Sequence, residues 1–186
     1  MLKITGGDLK GKSIECPPGK DIRPTSSKTR QGLFNVLFSM GVELRGARIL
    51  ELFAGTGLIS FESISRGAGH ATMVDKETSS LKVIEKNSVA LSLNSNIKLV
   101  KQDVEAFLSQ TDISSFDIIY LDPPYKYDGY QRVLKLLVTG IKKEAVVIAE
   151  SDKELFSDAN LYGAELLKVK KWGKSFAHFL KIKDDQ

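Results

Sequence analysis

Four consecutive residues, Asp122-Pro123-Pro124-Tyr125, put a carboxylate, two rigid rings and an aromatic face directly behind an apolar run, Phe116 to Leu121. Such a group suits the capture of a flat ring bearing an amine. Ile118, Ile119 and Tyr120 make the run a buried strand, and proline, which lacks an N–H, cannot continue a sheet ladder. The strand must end at Asp122 and a shaped loop begin. Proline also fixes its own φ and drives the residue before it towards extended backbone. The Asp122 carboxylate and the Pro123 carbonyl then stand as neighbouring acceptors beside the Tyr125 ring. The bland alternative is an ordinary loop after a strand.

A second strand, Ile49 to Phe53, runs into Ala54-Gly55-Thr56-Gly57 and the helical stretch Leu58 to Arg66. Glycines at such a turn let a ligand approach the main chain, and the helix that follows offers free N–H groups. The loop lacks the Lys-Ser/Thr ending of a phosphate-cradling loop and the third glycine of a dinucleotide fingerprint, so by itself it reads equally as a tight turn. Asp75 closes the next apolar strand, Ala71 to Val74, twenty residues after Gly55. At that spacing a carboxylate reaches a ribose diol on the neighbouring strand. Asp103 follows a third strand, Ile97 to Val100, and reads both as a ligand-facing acid and as the N-cap of a helix from Val104 to Gln110.

The elements that must position these residues alternate. Helices are expected over Thr78 to Leu93 and about Tyr130 to Ile141, with a further buried strand from Ala145 to Ala149. Strand and helix in alternation predict an α/β fold on a parallel, doubly wound sheet. Glu165 to Lys171 and Ser175 to Ile182, around Gly173, read as a closing antiparallel hairpin. The 186 residues suit one domain, and 42% hydrophobic content is ordinary for a globular chain. No apolar segment is long enough to span a bilayer and no signal-like run opens the chain, so a soluble, cytoplasmic protein is expected. Cys16, the one cysteine, allows no internal disulfide. His70 and His178 show no metal-ligand spacing, so no metal is expected and strand packing is the favoured reading of both.

Charge is concentrated at the N-terminus. The first thirty residues hold seven Lys or Arg against three acids, the rest twenty of each, so the net +4 lies in this segment. A local basic footprint of this kind suits a nucleic acid. Interleaved apolar residues, among them Ile4, Leu9 and Ile14, predict a small hairpin packed beside the sheet. After it, Ser26 reads as the N-cap of a helix to Met40 whose core stripe is Leu33, Val36, Leu37 and Met40. Lys28 and Arg30 are then expected to project from its first turn towards phosphates. The lysines Lys168, Lys170, Lys171 and Lys174 could extend the basic surface, but their alternation with Val169 and Trp172 favours an exposed strand face.

Taken together, the glycine loop and the strand-end acids resemble the site of a class I S-adenosylmethionine-dependent methyltransferase, with a Rossmann-like, mostly parallel sheet. The resemblance implies cofactor contacts at Glu51, Phe53, Ala54, Gly55, Thr56, Gly57, Asp75, Asp103 and Asp122. Its mark for methylating an amine conjugated to a planar system is [Asp/Asn/Ser]-Pro-Pro-[Tyr/Phe], which implies catalytic roles for Asp122, Pro123, Pro124 and Tyr125. Further motifs narrow the resemblance: Ile4-Thr5-Gly6-Gly7, Lys10-Gly11-Lys12, Arg23-Pro24-Thr25, Lys28-Thr29-Arg30 and Leu33-Phe34-Asn35-Val36-Leu37. With the closing stretch Trp172 to Lys183, they are similar to the RsmD family of bacterial small-subunit rRNA guanine-N2 methyltransferases. Lys10 and Lys12 stand where that family usually has arginine, Gln31 where it has an acid, and Glu51 where it has Asp.

That resemblance implies a single domain over 1–186, with a basic RNA-contacting extension (1–40) on a catalytic core (41–186). It also implies RNA contacts at Lys10, Lys12, Arg23, Thr25, Lys28 and Arg30. The partner would be small-subunit 16S rRNA, alone or within an assembling ribosomal subunit. Methylation of another amine, such as adenine N6 in DNA or a protein glutamine, and a non-catalytic RNA-binding or assembly role stay open at this point.

Overall fold

In this computed structural model the described residues are 2–17, 26–124, 127–156 and 161–183. Arg23, Thr25 and Tyr125, singled out above, lie outside them. A short antiparallel hairpin, β1 (Leu2–Lys3) and β2 (Ser13–Ile14), precedes α1 (Ser27–Ser39). Alternating elements follow: β3 (Arg48–Leu52), α2 (Leu58–Ser65), β4 (His70–Asp75), α3 (Thr78–Ala90), β5 (Ile97–Lys101), α4 (Val104–Gln110), β6 (Ile118–Leu121), α5 (Tyr130–Gly140) and β7 (Val146–Ser151). The hairpin β8 (Ala164–Trp172) and β9 (Ser175–Ile182) comes last. Among the described residues no helix is long and apolar enough to cross a membrane.

Seven strands form one sheet in the order β5-β4-β3-β6-β7-β9-β8, parallel from β5 through β7 and antiparallel at β9 and β8. The chain runs outward from β3 through β4 and β5, then returns to β6 and β7 on the other side of β3. Crossovers between parallel strands are right-handed, so this reversal sends the helices of the two halves to opposite faces. Leu33, Phe61 and Ile84 of α1, α2 and α3 accordingly pack with Ile49, Met73, Ile118 and Phe179 on one face. Phe107, Val133 and Leu137 of α4 and α5 pack with Leu50, Ile119 and Val147 on the other. Reversal between β3 and β6 leaves a crevice at the carboxyl ends of the strands. The site residues lie there.

At the sheet's antiparallel side, His178 pairs opposite Ala149. Its Nδ1 donates to the Ala149 carbonyl at 3.2 Å and its Nε2 accepts from the Leu155 N–H at 3.2 Å. Burial lowers its pKa, so it is a neutral packing residue, as its lack of ligand spacing suggested.

Two elements depart from the sequence reading. The helix expected to reach Leu93 stops at Ala90, because Ser92 takes a left-handed φ of 58°. The Leu93 N–H then bonds the Ser88 carbonyl and the Ser92 N–H that of Val89, a C-terminal cap that closes the helix. Arg30 is the larger correction. Ser26 caps α1 as expected, its Oγ accepting from the Thr29 N–H at 3.1 Å. The next turn, however, carries Arg30 inward, where it is 1% exposed. Its Nε meets Glu62 Oε2 at 3.2 Å and its Nη2 donates to the Lys3 carbonyl at 2.7 Å. Arg66 Nη2 reaches the same Glu62 carboxylate at 2.8 Å, and Thr5 donates to it through both N–H and hydroxyl. Arg30 therefore ties the N-terminal hairpin, α1 and α2 together and faces no solvent.

The hairpin's seat also decides where Lys10 and Lys12 go. Its turn bonds to the C-terminal end of α2, with the Asp8 N–H on the Ser65 carbonyl at 2.7 Å and the Ser65 hydroxyl on the Gly6 carbonyl at 2.6 Å. Asn87 of α3 holds Glu15 through two further bonds. Lys10 and Lys12 are exposed on this turn, at the end of α2 remote from the glycine loop, an eight-residue helix of about 12 Å away.

Candidate active site

The parallel register sets Leu52 beside Val74 and Leu121, and Val74 beside Val100, so Phe53, Asp75, Asp103 and Asp122 emerge along one edge. Phe53 leaves β3 with φ 58°, a conformation that non-glycine residues rarely adopt and that clusters at functional sites. Gly55 and Gly57 follow at φ 55° and 68°. At Gly57 a Cβ would also meet Met73 Sδ at 2.8 Å, so both conformation and space require glycine. Asp75 holds the loop: its two oxygens accept the N–H groups of Gly55 and Glu77, each at 2.8 Å. Each oxygen keeps a second lone pair. Glu51 is buried below the loop, where its Oε2 accepts the Ser60 N–H of α2 at 2.9 Å, and burial pushes its carboxyl up to about 7.

Asp103 caps α4, accepting the N–H groups of Glu105 and Ala106 at 3.0 and 3.2 Å. The capping role weighed from sequence is thus real. Beside it, the Tyr127 hydroxyl donates to Glu105 at 3.0 Å, and the Tyr127 ring stands edge-on to Phe53 and Tyr130 at 5.0 and 5.5 Å. An aromatic row therefore joins the glycine loop to the start of α5.

On the other side of the row a cleft of about 670 Å³ opens. Asp122, Pro123 and Pro124 line it, with Ser26, Lys28 and Thr29 of the α1 N-terminus, the β7 end from Glu150 to Lys153, and the β8–β9 tip from Lys171 to Ser175. Tyr127 and Tyr130 complete the lining. Trp172 presses on α1 so closely that a Cβ at Gly32 would lie 2.6 Å from its ring. The hairpin and the helix are thereby locked together as adjoining walls.

Two acids share the floor. Alternation along β6 and β7 puts Tyr120, Asp122, Ile148 and Glu150 on the same face of the sheet. Glu150 is 4% exposed, its Oε1 taking a hydrogen bond from the Tyr120 hydroxyl at 2.8 Å and its carbonyl one from Tyr130 at 2.7 Å. Among the described residues no cation pairs with Glu150 or Asp122. Burial pushes the Asp122 carboxyl up to about 6, while burial and then the charge of Asp122 push Glu150 up to about 8. The two carboxyls thus share a site that resists a second negative charge.

The structure thus brings together Glu51, Phe53, Ala54, Gly55, Thr56, Gly57, Asp75, Asp103, Asp122, Pro123 and Pro124, and sets Lys28 at the cleft. It leaves Lys10 and Lys12 at the far end of α2 and Arg30 inside an ion-pair network. Sequence reading missed Glu150, which follows the apolar run Ala145 to Ala149 as Asp122 follows its own; the strand-end rule applied once more would have found it. The positions of Lys153, Lys171, Trp172 and Lys174 at the cleft had no local signal.

The family described as Conserved hypothetical protein 95 matches residues 2–181. The chain is 30% identical to the Bacillus subtilis protein YlbH over 158 residues, 83% of this chain and 84% of the relative. It is 29% identical to Ribosomal RNA small subunit methyltransferase D of Escherichia coli over 156 residues, 83% of this chain and 76% of that one. Among solved structures, yhhF from Escherichia coli superposes with a TM-score of 0.83 at 24% identity, covering 98% of both chains. SMU.776, solved complexed with SAH, superposes at 0.63 and 17% identity over 78% of this chain and 49% of that one. The chain belongs to the RsmD family and has the class I, Rossmann-like methyltransferase fold.

Proposed function

We propose that this protein transfers a methyl group from S-adenosylmethionine to the exocyclic N2 amine of a guanine in small-subunit rRNA. The observation that carries the reading is Asp122. It is an acid without a described hydrogen-bond donor or counter-cation, at the end of a central strand, between a glycine loop and a nucleotide-sized cleft. The name of the Escherichia coli relative, a ribosomal RNA small subunit methyltransferase, supports the substrate class, and the SAH bound to SMU.776 supports the cofactor class.

The residues present suit that cofactor. Gly55 and Gly57 keep the main chain bare, the α2 N-terminus offers N–H groups, and Asp75 has lone pairs to spare for ribose hydroxyls. Asp103 and the Phe53 ring flank the same edge. When bound, S-adenosylmethionine supplies a methyl group already activated on a sulfonium.

The amine is the difficult partner, because its lone pair is delocalised into the ring. Asp122 and the Pro123 carbonyl accept its two N–H bonds and draw the nitrogen towards tetrahedral geometry. Positive charge then develops on nitrogen, and a fixed carboxylate stabilises it more in the transition state than before it. Alignment of the amine contributes much of the rest. No strong base is needed, since the cationic product sheds its proton readily. Tyr125, by the family resemblance, stacks on the base. Of the N-terminal cations, Lys28 serves the cleft directly, whereas Lys10 and Lys12 reach only RNA flanking the target. An rRNA substrate makes the reaction a cytoplasmic one.

The test is transfer of labelled methyl into separate pools of unmodified small-subunit rRNA, assembled subunits, DNA and protein, followed by nucleoside or residue analysis. N2-methylguanine in either RNA pool is the expected product. N6-methyladenine in DNA or a methylated glutamine would keep the chemistry and overturn the substrate, and absence of label from every pool would overturn the enzymatic reading.

A further inference from the structure

The cleft is ordered by charge from floor to mouth. Asp122 and Glu150 hold the floor, and the exposed lysines Lys28, Lys171 and Lys174 stand on the two walls. No ion pair among the described residues engages any of the three. Lys153 also lies at the mouth but beside the exposed acid Asp152, which offsets it. A nucleotide has the same order, an amine-bearing edge at one end and phosphates at the other.

The walls are not loose surface. Gly173 and Lys174 form a two-residue turn between the paired Trp172 and Ser175, with Gly173 at φ 62°, so the tip is a tight hairpin that carries Lys174 itself and Lys171 just before it. The Lys171 ammonium lies 4.8 Å over the Phe176 ring, and Trp172 is seated against α1 at Gly32. On the adjoining wall, Lys28 sits in the first turn of α1, a turn that contains no acid and whose N–H groups favour anions. Lys168 and Lys170, on the same hairpin, do not line the cleft.

We propose that the tip of the β8–β9 hairpin and the N-terminus of α1 together form a phosphate clamp, which grips the RNA strand beside a nucleotide flipped into the cleft. The inference rests on the methyl-transfer reading for the identity of the RNA. It adds the path of the strand, across the mouth from Lys28 to Lys171 and Lys174, and a requirement that the target be unpaired. An amine on a Watson–Crick edge reaches a recessed floor only when its base has left the helix.

The experiment compares Lys171→Gln/Lys174→Gln with Lys168→Gln/Lys170→Gln, a pair that removes the same charge from the same hairpin away from the cleft. Binding of unmodified small-subunit rRNA is measured against salt, with thermal melting and S-adenosylmethionine binding as checks on folding. The clamp pair is expected to bind RNA about tenfold more weakly and to lower the slope of log K against log salt by about 1 to 2. The control pair should change affinity less than twofold. Equal losses in both pairs would mean a diffuse basic surface and overturn the clamp, as would normal binding by the clamp pair. If the wild type binds RNA through these lysines but methylates none, the catalytic reading fails and the clamp stands. Should it methylate guanine while the clamp variant binds normally, the clamp alone fails.

Discussion

Two groups of charged side chains are wholly or partly buried in this molecule, and they are built on opposite plans. Around Glu62, a carboxylate is met by Arg30, Arg66 and both donors of Thr5. At the cleft floor, Asp122 and Glu150 face each other with one tyrosine hydroxyl on Glu150 and no cation among the described residues. Satisfied charge holds elements together, whereas unsatisfied like charge is unfavourable for folding and useful only when a ligand brings the missing donors. Burial alone does not separate structural from functional acids. The inventory of partners does.

The two groups also respond to pH in opposite directions. Burial opposes ionisation of Glu62, but the hydrogen bonds from Thr5 and Arg66 outweigh it and hold the carboxyl below 4.5. Its contribution to stability is therefore present above 4.5 and lost as pH falls through the lowered value. Glu150, pushed up from 4.5 to about 8, binds a proton in the native state that the unfolded chain has released. Stability from this site is greatest below 4.5 and lost as pH rises through about 8.

Removing one member of the paired group should have the largest effect on stability. Arg30→Ala is expected to destabilise by roughly 3–5 kcal/mol in urea unfolding at neutral pH, leaving the Glu62 charge without its buried partner. RNA affinity of the folded protein should stay within twofold; lost affinity with stability intact would return Arg30 to the phosphate-contacting role expected from its sequence context. Glu150→Gln should act the other way, stabilising the chain at pH 9 by roughly 2–4 kcal/mol relative to wild type and by much less at pH 5. Unfolding curves at the two pH values check this, and a stability loss at both would make Glu150 a structural acid. The smallest change is Tyr120→Phe, worth about 1 kcal/mol. Because the tyrosine hydrogen bond lowers the Glu150 pKa, its removal should move that titration upward in a carboxyl-carbon NMR experiment.

The legibility of the two groups in the sequence differs for a physical reason. Asp75 and Asp122 could be read because a parallel strand buried on both faces is a continuous apolar run, and the acid at its end marks the edge where ligands bind; Glu51 lies inside β3 beside the glycine loop, and Asp103 follows the partly exposed edge strand β5. Glu150 obeys the same rule. The partner of Arg30 could not be read, since Glu62 lies 32 residues away and only the packing of α1 on α2 turns the guanidinium inward. The place of Lys10 and Lys12 at the far end of α2 could not be read for a similar reason, being fixed by contacts of the hairpin with Ser65. The sheet, its switch point and the closing hairpin were legible from alternation and apolar runs. The order of β9 before β8 and the seat of Trp172 depend on tertiary contacts with no local signature.

The central claim is that Asp122, without a partner among the described residues, holds the reacting amine. Its most direct test is methyl transfer by Asp122→Ala with saturating S-adenosylmethionine and RNA, alongside cofactor binding and thermal melting. A fall in kcat of at least about 100-fold, with cofactor affinity and folding retained, is the predicted result. A kcat within a few-fold of wild type would contradict it and leave the acid at the cleft floor without the role assigned to it.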